Sequence, residues 1–181
     1  MIIIDHLEYR LEFARNYAYC EAYNFREMAD PVVFLKKETG GLGADVCIDA
    51  VGAEAAGDTM QTLLGRKMLM VGGSATALHW AINSVKKSGI VSIVGVYGPL
   101  DALVPIGNVV NKGLTIRANQ ASVKRLLPRL IDHVMAGRLN PKGLITHRIP
   151  LEEVSEGYHI FSAKRDNCIK PVLIPPTAYA A

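Results

Sequence analysis

The stretch Gly89–Gly98, GIVSIVGVYG, decides how the rest of this chain is read. Ile90, Val91, Ile93, Val94 and Val96 crowd between one glycine and a Gly-Pro pair. Near-continuous valine and isoleucine of this kind marks a strand buried on both faces, inside a parallel sheet. Its carboxyl end, Val94 to Gly98, carries little side-chain bulk except at Tyr97. In open parallel sheets ligands lie beyond the carboxyl ends of the strands, and glycine there lets backbone come close. The stretch predicts a central strand that ends in a ligand edge.

Just upstream, Leu78, Ala81, Ile82 and Val85 recur at helical spacing. Lys86 and Lys87 then suit a helix carboxyl terminus, with Gly89 just beyond. Just downstream, Pro105 to Asn111 is a short apolar segment and Gly113 to Arg117 a further strand. Ser122 is placed to cap a helix whose face is Val123, Leu126, Leu127, Leu130, Ile131 and Val134. Pro128 inside it predicts a kink or an irregular first turn.

The chain opens with Ile2-Ile3-Ile4 as a strand closed by Asp5, and a helix follows with Leu7, Leu11, Ala14 and Ala18 on one face. On local sequence Asp5 reads first as a cap on that helix, since caps are common; the alternative is an acid ending a strand that accepts from the ribose hydroxyls of a nucleotide. Glu21 to Phe25 is a short strand, and Asp30-Pro31 starts a helix as N-cap and first residue. The glycines after it, GGLGA (40–44), lie between a helix and a strand. A dinucleotide fingerprint follows a strand and opens a helix, so these read as a helix end and connection. Val46-Cys47-Ile48 is the next strand, and residues 53–74 read as an excursion around Met68 to Val71, where MLMVGGSATAL also imitates strand, glycine turn and helix. After Asn140-Pro141 come a strand at 145–149, a helix with Leu151, Val154, Tyr158 and Phe161 on its face, and a last strand at 168–174. Pro171 interrupts that strand and argues for an edge position.

The totals narrow the class. The chain has 181 residues, of which 50% are hydrophobic and 20% charged, as expected of a soluble globular protein. A net charge of +3 is too slight to argue for nucleic acid. No apolar run approaches the roughly 20 residues of a membrane span, and Asp5 follows the first isoleucines with no basic leader, unlike a signal peptide. Cys20, Cys47 and Cys168 are odd in number and far apart, which suits a reducing, cytoplasmic setting. The five histidines and three cysteines show neither HxxxH nor CxxC spacing, so no metal site built wholly from this chain is expected.

Strands alternating with helices indicate an α/β fold with a doubly wound parallel sheet. In order, IIIDHLEYRLEFAR, GADVCIDAVGAEA, GIVSIVGVYG, PIGNVVNKGLTIR and LITHRIPLEEVSEGYHIF…CIKPVLIP resemble the zinc-dependent medium-chain alcohol dehydrogenases, most of all their formaldehyde-dehydrogenase-like branch. The resemblance implies an NAD-dependent oxidoreductase of alcohols or aldehydes with a Rossmann-like domain over 1–143. Residues 144–181 would be a segment that the family returns to its catalytic domain.

By the same resemblance, Asp5 binds the adenosine ribose, with Arg10 beside it. Val51 and Gly52 line the adenine side, Gly95, Val96, Ala118 and Asn119 lie near the nicotinamide, and Lys170 points to the pyrophosphate. Asp5 would favour NAD over NADP by repelling a 2′-phosphate, with Arg10 or His6 offsetting that only in part. The catalytic domain with its zinc ligands, and the first strand with its glycine-rich turn, have no counterpart. The chain is therefore expected to be a truncated member, inactive alone, with no catalytic residue or metal ligand of its own and a substrate only if the missing domain is supplied. Two other readings stand beside it. One is a catalytically silent nucleotide-binding or dimerisation remnant; the other, a methyltransferase, is disfavoured by the C-terminal helix and strand. Self-association is expected through Pro99–Ile116, and no nucleic-acid or membrane partner.

Overall fold

The computed structural model describes residues 1–52, 75–97 and 104–176. In chain order these form β1 (Ile2–Asp5), α1 (Glu8–Ala18), β2 (Glu21–Asn24), α2 (Pro31–Glu38), β3 (Ala44–Asp49), α3 (Thr76–Ser84) and β4 (Val85–Ile93). There follow α4 (Ile106–Lys112), β5 (Thr115–Ala118), α5 (Val123–Met135), β6 (His147–Pro150), α6 (Val154–Ser162) and β7 (Pro171–Ile174). Helices and parallel strands alternate, so the chain is α/β as its sequence predicts. The described elements divide into two compact units, Met28–Ser122 and Met1–Glu27 with Val123–Ala181.

In the unit Met28–Ser122, three parallel strands lie in the order β3-β4-β5. Asp30 caps α2: its Oδ1 accepts from the N–H of Val32 at 2.7 Å and of Val33 at 3.3 Å. Pro31 fills the first helical position, where its missing N–H costs nothing. The core joins α3 to β4, with Leu78, Ala81, Ile82, Val85 and Val91 buried together. Cys47, Ile93, Val109 and Leu114 pack around them. Burial pushes the Cys47 thiol above its ordinary range. At the carboxyl end of α3, the Lys112 ammonium donates to the carbonyls of Ile82 at 2.8 Å and Asn83 at 3.2 Å.

Gly43 is required where α2 leads into β3. Its φ is +96°, and a Cβ there would lie 2.9 Å from the Lys86 nitrogen and 3.0 Å from the Val85 carbonyl carbon.

Three expectations change in this unit. First, α3 stops at Ser84 and Val85 already pairs with Ala44, so Lys86 and Lys87 are not in a helical turn. Between the pairs Ala44–Val85 and Val46–Ile90 the register jumps, and Asp45 alone stands against Lys86–Gly89. Ser88 takes a left-handed φ of 58° in that bulge, and Lys86 pairs with Asp45 at 2.5 Å. The ion pair holds the Asp45 carboxyl below its usual range. Second, β4 ends at Ile93 and its burial is uneven, Val91 fully buried and Ile90 and Ser92 only partly so. Cys47, Val91 and Ile93 face the helices, while Val46 and Ile48 of β3 are 49% and 65% exposed on the other side. β-branching made the strand, and within this unit the buried core lies on the α3 face of the sheet. Third, the segment Pro105–Asn111 is helical, with Ile106 and Val110 exposed and Val109 turned to the core.

In the other unit, β1 and β2 pair in parallel, as do β6 and β7. Leu11 of α1 is fully buried. The Arg15 guanidinium donates to the Ala22 carbonyl at 2.7 Å and to Glu8 at 2.8 Å, joining α1 to β2. α5 runs through Pro128 without ending, its apolar side exposed at Val123, Leu127 and Ile131. Pro171 opens β7 and does not interrupt it, a position where a missing donor costs no ladder bond. The sequence pattern MLMVGGSATAL lies mostly, and the excursion over 53–74 wholly, outside the described residues.

Candidate functional site

The carboxyl ends of β3, β4 and β5 come level, because Asp49 pairs with Ile93 and Ile93 with Ala118. Six of the residues assigned to a cofactor gather at this edge: Val51, Gly52, Gly95, Val96, Ala118 and Asn119. The Val96 N–H donates to the Val51 carbonyl at 3.1 Å, tying the loop after β4 to the loop after β3. Asn119 directs its side-chain amide to the Ser122 hydroxyl at 3.1 Å. Val94 and Val96 are 62% and 51% exposed, so the edge presents apolar surface.

Asp49 organises this edge, although sequence reasoning left it out of the site. Its side chain is buried, and Oδ1 accepts from the Val51 N–H at 3.1 Å. The Tyr97 hydroxyl donates to Oδ2. The Asp49 carbonyl accepts from the N–H groups of Val94 at 2.8 Å and Gly95 at 3.0 Å. These bonds fix the backbone of both loops from beneath. Gly95 is small for the protein's own sake, since a Cβ there would stand 2.9 Å from the Val51 carbonyl oxygen and 3.0 Å from Asp49 Oδ2. Asp49 ends the strand VCID in the sequence, but only the fold places Tyr97 against it.

In the other unit, Asp5 closes β1. Its Oδ1 accepts from the N–H groups of His6 at 2.6 Å and Leu7 at 3.1 Å, both before the first residue of α1. The carboxylate thus closes the strand-to-helix turn, and Leu7 holds the N-cap position. Oδ2 faces Arg10 at 3.8 Å. The structure brings Asp5 and Arg10 together. His6 lies beside them, its ring 5.3 Å from that of Phe25. Burial, then the nearby Arg26, lower the His6 pKa below its ordinary 6.5, against the pull of Asp5.

Lys170 is exposed at the entrance to β7. Its N–H and carbonyl both bond to Thr146, the first to the hydroxyl at 3.2 Å and the second from the N–H at 3.1 Å. This backbone role is separate from any work of its ammonium.

Among the described residues, no three of His, Cys, Asp and Glu come together as a metal site. They do not fit a catalytic zinc, which takes three protein ligands and an open position. Among the described residues no helix is long and apolar enough to cross a membrane.

No family model matches the chain. It is 36% identical over 175 residues to the uncharacterized zinc-type alcohol dehydrogenase-like protein AdhB of Bacillus subtilis (strain 168), covering 97% of this chain and 46% of that protein. It is 28% identical over 178 residues to the alcohol dehydrogenase of Cupriavidus necator, covering 97% of this chain and 42% of the relative. Among solved structures, the alcohol dehydrogenase TADH from Thermus sp. ATN1 superposes with a TM-score of 0.74 at 29% identity, over 95% of this chain and 42% of that one. The apo form of zinc dependent alcohol dehydrogenase 2 from Streptococcus pneumonia gives 0.76 at 21% identity, over 97% and 44%. That second likeness bears on the fold alone. The homologues of this chain are zinc-type alcohol dehydrogenases, its fold is of their Rossmann-like kind, and it spans less than half the length of these relatives.

Proposed function

We propose that this chain is the nucleotide-binding part of an NAD-dependent alcohol or aldehyde oxidoreductase of the medium-chain zinc type, in its formaldehyde-dehydrogenase-like branch. The observation that carries the reading is the level edge of β3, β4 and β5, where Val51, Gly52, Gly95, Val96, Ala118 and Asn119 meet. Ligands of open parallel sheets bind outside such carboxyl ends. In the strand order 3-2-1-4-5-6, β1 and β2 correspond to the second and third strands and β3, β4 and β5 to the fourth to sixth. The first strand then has no counterpart among the described residues.

In this reading residues 1–143 belong to the nucleotide-binding domain and 144–181 to a segment that packs on a catalytic domain. Asp5 accepts from the ribose hydroxyls with Arg10 near that ribose, Val51 and Gly52 line the adenine side, and Lys170 is directed to the pyrophosphate. Asp49 and Tyr97 hold the loops on which Val51, Gly95 and Val96 sit. A bound nicotinamide supplies hydride acceptance or donation. The described residues offer zinc no ligand set. A cytoplasmic protein without membrane or nucleic-acid partners is part of the same proposal.

Titration calorimetry with NAD tests it. The expected result is saturable binding that Asp5→Ala weakens roughly tenfold to a hundredfold, the worth of a hydrogen bond to a charged group. In the same preparation, added zinc and simple alcohols or formaldehyde yield no NADH, because positioning and metal stabilisation are both wanting. Absence of NAD binding sinks the proposal. Zinc-dependent turnover would show a catalytic site in this chain and remove the expectation of inactivity.

A further inference from the structure

Asp49 joins two loops that lie far apart in the sequence, the one after β3 and the one after β4. Its Oδ1 accepts from the Val51 N–H at 3.1 Å in its own loop, and its Oδ2 accepts from the Tyr97 hydroxyl in the other. The Asp49 carbonyl takes the N–H groups of Val94 at 2.8 Å and Gly95 at 3.0 Å. Val96 returns the tie by donating to the Val51 carbonyl at 3.1 Å. Val51 is thus held by its N–H to the acid and by its carbonyl to the opposite loop. The ring has no slack: a Cβ on Gly95 would lie 2.9 Å from the Val51 oxygen, 3.0 Å from Asp49 Oδ2 and 3.1 Å from the Tyr97 ring. Asp49 is only 2% exposed, and burying a carboxylate is costly unless its oxygens find donors. Two donors meet it from two loops. An amide, with a single acceptor oxygen, would turn an NH₂ group toward one of them.

We infer that Asp49 is a positioning residue that couples the two loops, so that a ligand seated on one of them orders the other. This coupling rests on the reading of Val51 and Gly52 as the adenine side and of Gly95 and Val96 as the nicotinamide side. A ligand that stills the Val51 backbone also stills the Val96 N–H bonded to it and, through Asp49, the N–H groups of Val94 and Gly95. The adenosine half of a dinucleotide then meets the ordering cost of both loops, and the nicotinamide half binds to a loop already in place. Purely structural support would hold the loops alike with and without ligand, and would carry nothing from one to the other.

The test is amide hydrogen exchange, read by NMR on the whole chain with and without AMP, which carries no nicotinamide. The expected result is that AMP slows exchange at Val51 and also at Val94, Gly95 and Val96, each roughly fivefold or more, the lower end of ordinary coupling between sites. Tyr97→Phe removes one hydroxyl and no backbone bond. It should keep the protection at Val51 and abolish most of that at Val94, Gly95 and Val96. Asp49→Asn, if its melting curve shows it folded, should do the same. Protection confined to Val51 in the unaltered chain overturns the coupling and leaves the NAD reading intact. Undiminished protection in Tyr97→Phe means that backbone bonds alone link the loops, and overturns the role of Asp49. If AMP protects neither loop, the adenine-side reading falls and the coupling with it, while NAD calorimetry judges the wider proposal separately.

Discussion

His6 shows how one side chain reports on its surroundings. Burial disfavours the imidazolium, Arg26 adds repulsion, Asp5 attracts it, and Lys164 and Arg10 repel it further. The balance favours the neutral ring, so the folded chain takes up its proton at lower pH than the unfolded chain does. Its contribution to stability is complete above the ordinary value of 6.5 and is lost as pH falls through the lowered folded value. Thermal melts from neutral to mildly acidic pH should show this loss, and His6→Gln should flatten that part of the profile. An unchanged acid slope in the variant would mean that His6 titrates as it does in water. Asp5, one residue before, was legible in the sequence, though its turn-closing bonds to His6 and Leu7 needed the structure. Asp49 was not singled out because a buried acid at a strand end carries no periodicity, and only the fold brings Tyr97 onto it.

At the scale of elements, punctuation was the reliable signal. Asp30-Pro31 predicts the start of α2, and both N–H groups that Asp30 accepts are in place. Asp30→Ala should therefore cost about 1 kcal/mol, the usual worth of an N-cap, measured by urea unfolding. No change would show that water or another acceptor serves those donors equally well. Continuous patterns misled where two elements meet without a break. Val85 continues the helical face of Leu78, Ala81 and Ile82, yet its backbone pairs with Ala44 and begins β4. The bulge of Lys86–Gly89 against Asp45 separates them, and its cause is a left-handed Ser88 that no apolar pattern reveals. β-branching also overstated burial, because it reports strand preference and not how many layers cover the strand.

At the scale of the whole molecule, we propose self-association through the β5 end of the sheet β3-β4-β5. β5 ends the sheet β3-β4-β5 and, among the described residues, has one unpaired ladder edge. Beside it in the chain, α4 exposes Ile106 at 62% and Val110 at 72%, while Val104, Val109 and Leu114 pack on the protein's own core. Part of the predicted segment Pro99–Ile116 lies outside the described residues, but its described part combines an open edge with exposed branched side chains. A parallel-sheet edge of this kind pairs readily with a second copy about a two-fold axis. α5 is the rival surface, with Leu127 and Ile131 about half exposed at 48% and 51%. An amphipathic helix can pair with many things, whereas a strand edge dictates register and partner. Sedimentation equilibrium at micromolar concentration should find a dimer. Val110→Glu should shift it to monomer without lowering the melting temperature of the monomer, because that side chain supports no core contact. Ile131→Glu should leave the dimer intact. A wild-type monomer removes this association, and a dimer broken by Ile131→Glu but not by Val110→Glu moves it to α5.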